Sequence, residues 1–333
     1  MSTSILDKAI KFGAGRYRQE RNLLAECGGE IRRFGEKVYM IAGVTAFEAA
    51  ANLGRECLDA GCDEVVGIGG GKIMDLAKAT AETIGLGVVN IPTSIATCAS
   101  FATMSVMYTA DGALDDTWRY DHEFDAVLVD LDVIAKCPYR YAAAGIVDAM
   151  AKKIEIQNGK PVMRPEDNNF DFYTAFRMSE YSYEMLEHYG VWAIEDLRQN
   201  RVTPAVEYVT FMNIAMTGVI ANTTRNFNQS ALAHLIYYGI RSFFTEEAKA
   251  ALHGEIVAVG LFVQLHYNRL SGQSEQLRAF MKQMDMPLTI GELGVEASAE
   301  NLLLLENYLK DSPYVDETEE SEALLHEAMK ELI

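Results

Sequence analysis

Cysteine is sparse and unpatterned in this chain of 333 residues. The five thiols, Cys27, Cys57, Cys62, Cys98 and Cys137, form no CxxC or CxxH pair, which argues against a disulfide framework or a thiolate zinc site. Positive charge is also short: 29 basic residues face 48 acidic ones, giving a formal charge of -19. A nucleic-acid backbone or an anionic membrane surface would be repelled by that mean field, so any anionic ligand must be held by local geometry. No long hydrophobic run is present. The longest apolar stretch, around VTFMNIAMTGVIA, is interrupted by Asn213 and too short to span a bilayer, so it is expected to be a buried helix. The N-terminal MSTSILDKAIKFGAGRYRQER has no apolar core followed by a small-residue cleavage site, so no secretory signal is read there and a cytoplasmic location is expected. No internal repeat is found.

Hydrophobic residues make up 49% of the chain, enough for a large core and for two domains. From Lys37 to about Asp132, short β-branched runs alternate with helical stretches. KVYMIAG, EVVGIGG and LGVVNIPTS read as strands, with MSVMYT and DAVLVDLD as further ones; AFEAAANLGRECLDAG and KIMDLAKATAETIG read as helices. Strands separated by helices imply parallel crossovers and a doubly wound α/β sheet. Beyond Cys137-Pro138 the β-rich runs stop and Ala/Leu/Met/Glu stretches at helical spacing continue to the end. The expected organisation is an α/β domain over 1–137 and an all-α domain over 138–333. The acidic run DSPYVDETEESE reads as a solvated loop leading into a last amphipathic helix.

Glycines 69, 70 and 71 stand where a strand ends and a helix begins, the place in an α/β sheet where ligands bind and helix amides face outward. A diphosphate could approach bare backbone there, with Lys72 and the helix dipole offsetting its charge. The pattern is neither a P-loop, since Val66 and Ile73 replace the required glycine and hydroxyl residue, nor a strict G-x-G-x-x-G. A tight turn without a ligand remains an equal reading of these residues.

In the helical half, Asp148 sits in the Ala-rich start of a helix, His234 among apolar neighbours in SALAHLIYYG, and His253 just before the amphipathic HGEIVAVGLFVQL. One carboxylate and two imidazoles suit zinc or ferrous iron with a position left open for water or substrate. The same residues could equally be a helix cap and two hydrogen-bonded core histidines. His122 lies in a charged loop, and His188, His266 and His326 lie on helices without matching carboxylates; these four read as structural.

The segments GIGGGKIMDLAKA, IPTSIATCASFATMSVMY, AGIVDAMAKKIE, AHLIYYG and HGEIVAVG occur in an order and spacing that resembles the iron-containing alcohol dehydrogenase superfamily, in its glycerol dehydrogenase-like branch, over nearly the whole chain. The resemblance implies a dehydroquinate synthase-like fold, with Gly69, Gly70, Gly71 and Lys72 on the diphosphate of NAD or NADP and Asp75 beside them. It places Thr93, Thr97, Ser105 and Tyr108 along the nicotinamide side of a cleft. Asp148, His234 and His253 match the metal ligands. Iron-type members have a further histidine four residues after the aspartate; Lys152 stands there, so three protein ligands and zinc are expected. The implied activity is hydride transfer between NAD(P)(H) and a small alcohol, polyol, or 2-hydroxy or 2-oxo acid. The partner would be a small molecule, not nucleic acid or membrane, and the assembly a homo-oligomer. The alternatives are a non-catalytic relative or a dehydroquinate synthase-like lyase.

Three departures accompany the resemblance. Cys98 stands where glycerol dehydrogenases carry an aspartate, and a neutral side chain there would repel a substrate carboxylate less; it also reads as a small buried thiol. Tyr237 replaces a histidine three residues after His234, as a proton relay or simply as packing. Between residues 43 and 64 the chain is too short for the strand and helix that usually border the adenosine half of the cofactor.

Overall fold

The computed structural model of the chain describes residues 12–43, 50–108, 114–224 and 229–333. Its first half runs β1 (Ala14–Glu20), α1 (Cys27–Ile31), β2 (Val38–Ala42), α2 (Ala50–Asp59), β3 (Glu64–Gly69), α3 (Gly71–Ile84), β4 (Gly87–Pro92), β5 (Met104–Tyr108), β6 (Leu114–Arg119) and β7 (Phe124–Asp130). Five strands form one parallel sheet in the order β1-β7-β4-β3-β2. The central strands are continuous Val/Ile/Leu runs because helices and loops cover both faces: Val65, Val66, Val89, Val127 and Leu128 are fully buried.

Two strands depart from expectation. β1 precedes the first strand expected from the sequence and pairs in parallel with β7. Its text, AGRYRQE, is polar and lacks β-branched residues, so the ladder and an edge position make it a strand rather than local propensity. β5, the MSVMYT run, is not a member of the doubly wound sheet; it forms an antiparallel ribbon with β6. The connection between them is too short for the crossover that parallel pairing requires. No described strand lies beyond β2, which is the sheet's edge next to β3, and part of the short 43–64 connection lies outside the described residues.

After a single turn α4 (Leu131–Ile134), the rest is helical: α5 (Tyr139–Gln157), α6 (Phe170–Leu197), α7 (Pro204–Phe211), a π-helical turn at Met212–Met216, α8 (Thr217–Thr223), α9 (Leu232–Phe243), α10 (His253–Tyr267), α11 (Ser274–Gln283), α12 (Ala299–Lys310) and α13 (Glu319–Ala328). The run Pro204–Thr223 has the length and composition of a bilayer span, but 67% of its apolar 18-residue window is buried inside the protein. α10 is not amphipathic as expected: 13 of its 15 residues are buried, since α5, α9 and α13 pack around it. The acidic run ends in α13, whose first turn holds Glu319, Glu320 and Glu322 behind the N-cap Thr318, where negative charge complements the helix dipole.

At the end of β3 opposite the glycine turn, Glu64 is buried and its Oε1 has no hydrogen-bond partner. Burial, then Asp125 and Asp63, push its carboxyl from an ordinary 4.5 up to about 8. The folded protein therefore holds a proton that the unfolded chain releases, and the resulting stability is complete below the lower value and lost as pH rises through the upper one. Glu64→Gln makes the side chain permanently neutral. It should raise the urea midpoint at about pH 9 and change it little at about pH 5.

Candidate active site

α5 presents Asp148 in its middle, not at its start, with the residue 5% exposed. α9 presents His234 in its first turn and α10 begins with His253. The three side chains meet. His234 Nε2 lies 3.3 Å and His253 Nε2 3.4 Å from the same oxygen, Asp148 Oδ1. One ligand atom from each side chain lies within 4.8 Å of the others. Oδ1 nevertheless has no hydrogen-bond donor.

Glu155, two turns along α5 from Asp148, orients this group. Its Oε2 lies 2.5 Å from His234 Nδ1, and its Oε1 accepts from the amides of Ala231 at 2.7 Å and His234 at 2.9 Å. With Gln264 Oε1 accepting from Leu232 N, it satisfies amides that the start of α9 would otherwise leave unpaired. A carboxylate on Nδ1 puts the ring proton there and turns the Nε2 lone pair toward Asp148. Burial works against ionisation of Glu155, but His234 and Lys152 outweigh it and hold the carboxyl below its usual range. Burial likewise opposes charge on Asp148, yet His253, His234 and Lys152 hold it far down. For His234 burial lowers the ring, and Glu155 and Asp148 more than restore it, leaving it raised.

A cavity of about 520 Å³ lies over these residues and reaches the glycine turn. Gly71, Lys72, Asp75, Thr97, Cys98, Asp148, His234, Tyr237 and His253 all line it. Gly69, Gly70 and Thr93 border the turn without lining the cavity: β3 runs into Gly69, Gly70 caps α3, and Thr93 N donates to Gly69 O. Gly70 has φ -81°, which any residue adopts, and a Cβ there would meet nothing closer than Ser94 Oγ at 3.9 Å. Neither backbone strain nor protein packing accounts for that glycine. Lys72 is shifted down by partial burial and by the guanidinium of Arg241, so two cations flank the head of α3.

Ser105, expected along the nicotinamide side, is instead fully buried: its hydroxyl donates to Asp75 O and accepts from Tyr120. The side chain of Tyr108 lies outside the described residues. Asp75 is ion-paired to Lys78 at 3.0 Å, so it is committed to the fold even though it touches the cavity. Cys98 is a neutral thiol, pushed up to about 11 by burial. Tyr237 packs edge-on against the His253 ring, with centroids 4.3 Å apart. Of the remaining histidines, His266 and His326 do have carboxylate partners, Glu331 at 3.2 Å and Glu306 at 2.9 Å, contrary to the sequence reading; both pairs stand outside the cavity.

Several supporting residues were not singled out from sequence. Lys78, 1% exposed, donates to the carbonyls of Ala99, Ala102 and Met104 and so pins the loop that carries Thr97 and Cys98. Asn90 Nδ2 holds Ser100 O, Asn213 Nδ2 holds Ile95 O, and Asn222 Oδ1 accepts from Thr103. The available signal was a lysine or amide inside an otherwise apolar run. Glu155 had a clearer one, seven residues after Asp148 on the same helical face.

Residues 19–138 match the family model described as iron-containing alcohol dehydrogenase. The chain is 30% identical, over 87% of its length, to a glycerol dehydrogenase of Thermotoga maritima, of which it covers 86%. It is 29% identical, over 76% of its length, to a glycolaldehyde reductase of Halobacterium salinarum, of which it covers 68%. The crystal structure of a probable glycerol dehydrogenase from Sinorhizobium meliloti 1021 shares its fold, with a TM-score of 0.82, 22% identity and 96% of each chain covered.

The junction of α5 and α10 brings Asp148 and His253 together, and it depends on a close backbone approach. A Cβ on Gly254 would lie 2.2 Å from Ala144 O, beside the Arg140–Glu255 pair that ties the two helix starts. Gly254→Ala should therefore cost about 1–3 kcal/mol, seen as a lower urea midpoint with an unchanged slope.

Proposed function

Because the chain belongs to the iron-containing alcohol dehydrogenase superfamily, in its glycerol dehydrogenase-like branch, and is a metal-dependent alcohol oxidoreductase, we propose that Asp148, His234 and His253 hold its divalent cation and that the Gly69–Lys72 turn holds the diphosphate of NAD. The observation that carries this reading is Asp148 Oδ1, a buried oxygen without a donor that faces two imidazole nitrogens. Such a set is poorly satisfied by the protein alone, and its one oxygen and two nitrogens suit zinc or iron. Zinc is the preferred occupant, since Lys152 offers no fourth imidazole one turn beyond Asp148.

A divalent cation held there supplies Lewis acidity, which favours the anionic form of an alcohol oxygen and the polarised form of a carbonyl. The chain's own residues do the rest. Glu155 keeps the His234 proton on Nδ1 and leaves Nε2 for coordination. Tyr237 packs against the His253 ring and so helps to orient it. The loop pinned by Lys78, Asn90, Asn213 and Asn222 presents Thr97 and Cys98 to substrate from a fixed backbone. At the other end of the cavity Lys72 and Arg241 offset a diphosphate charge beside amides at the start of α3. A nicotinamide held by that turn would supply the hydride acceptor or donor for the carbon of a small alcohol or polyol. Retention of all three candidate ligands around one point speaks against a degenerate, non-catalytic relative.

Three measurements test the assignment. Zinc-loaded protein should change the nicotinamide absorbance with at least one alcohol, aldehyde or 2-oxo acid; silence with NAD and NADP and with both zinc and iron overturns it. Glu155→Gln should weaken zinc affinity about 10- to 100-fold, read by competition with a chromophoric chelator. Gly70→Ala should raise the Kd for NADH on the order of tenfold, while stability falls by no more than about 1 kcal/mol, the N-cap difference.

A further inference from the structure

α5 brings one more charge into the cavity. Asp148, Lys152 and Glu155 lie at i, i+4 and i+7, on one face of the helix. Asp148 faces the two imidazoles and Glu155 is taken up by His234 and Ala231. Lys152 is 5% exposed and lines the cavity beside Cys98, Asp148 and His234. Among the described residues its ammonium makes neither a hydrogen bond nor an ion pair. Lys78 shows the ordinary solution for a buried lysine, with three carbonyls and a carboxylate around its nitrogen.

An ammonium removed from water without an acceptor costs several kcal/mol, so an acceptor that arrives with a ligand fits this site. No neighbouring group bonds to it in the fold, although the charges of Asp148 and Glu155 lie near enough to act on it. Both oxygens of Glu155 are engaged, Asp148 Oδ1 is turned to the imidazoles, and Cys98 is a neutral thiol. An uncharged polyol would offer the ammonium hydroxyls alone. A carboxylate would form a charge-assisted hydrogen bond, roughly twice as strong as a neutral one. Because Lys152 stands one turn from Asp148 on the same face of α5, a small ligand whose reacting oxygen lies at Asp148 can place a carboxylate on the adjacent carbon within reach of the ammonium.

We propose that Lys152 binds the carboxylate of the substrate and selects 2-hydroxy and 2-oxo acids over uncharged polyols. The assignment rests on reading this cavity as the catalytic centre. In the oxidation, the hydrogen on C2 leaves with its electron pair for the nicotinamide, the hydroxyl proton goes to solvent, the C2–O single bond becomes a carbonyl, and the carboxylate is unchanged.

Oxamate, which has the carboxylate and 2-oxygen of a 2-oxo acid but accepts no hydride, is the probe. It is titrated calorimetrically into zinc-loaded protein saturated with NADH, in parallel with propane-1,2-diol. The parent should bind oxamate at least about tenfold more tightly than the diol. Lys152→Met should weaken oxamate roughly 30- to 100-fold and lower the kcat/KM ratio of lactate to the diol by a similar factor, while Lys152→Arg keeps most of both. A parent-like NADH affinity shows that each variant is folded, and the parent's own preference needs no variant. Equal binding of oxamate and diol by the parent, or equal binding of oxamate by the parent and a folded Lys152→Met, overturns the assignment. If the diol is still oxidised in that case, only the substrate class falls; if no alcohol or carbonyl compound is turned over, the catalytic reading falls with it.

Discussion

Asp148 is ionised inside a protein core, and much of the surrounding architecture answers the cost of that charge. Burial alone would push the carboxyl up; His253, His234 and Lys152 reverse the direction. Each of those groups comes from a turn whose position is itself constrained. α9 begins where it does because Glu155 and Gln264 accept its first amides, and α10 begins at His253 because Gly254 allows its backbone to rest on Ala144. The carboxylate, the two rings and the second carboxylate behind them form one electrostatic unit spread over three helices.

The same economy governs the loop between β4 and β5. It carries the cavity residues Thr97 and Cys98, yet it is held by buried polar side chains from both halves of the chain. Lys78 and Asn90 come from the α/β part, Asn213 and Asn222 from the helical run that is apolar enough to resemble a membrane span. They compensate loop carbonyls and, at Thr103, a backbone N–H that would otherwise be buried unpaired. The loop is consequently a fixed wall of the cavity.

Charge is distributed against the average. A chain of formal charge -19 gathers Lys72, Arg241 and Lys152 along one cavity. The long-range field disfavours polyanions, while short-range contacts accept a small anion at the head of α3 or beside Asp148. Two buried lysines differ in their partners: Lys78 is saturated by the fold, while Lys152, beside the candidate ligands, makes no hydrogen bond among the described residues.

Much of this was already legible in the residues. Hydrophobic alternation and β-branched runs determined the parallel strands β2, β3, β4 and β7 and the helical second half, since these patterns express burial on a regular backbone. Ordered motifs singled out Asp148, His234 and His253, which the fold brings within 4.8 Å of one another, and the glycine turn that borders the same cavity. The strand β1 and the β5–β6 ribbon were decided by tertiary pairing, which supplies hydrogen bonds that local propensity does not report. The carboxylate partners of His266 and His326, the inward turn of Ser105 and the pinning role of Lys78 also required the folded chain. A polar side chain in a sequence can cap, brace or bind, and only the atoms brought around it by folding leave it satisfied, like Lys78, or without an acceptor, like Lys152.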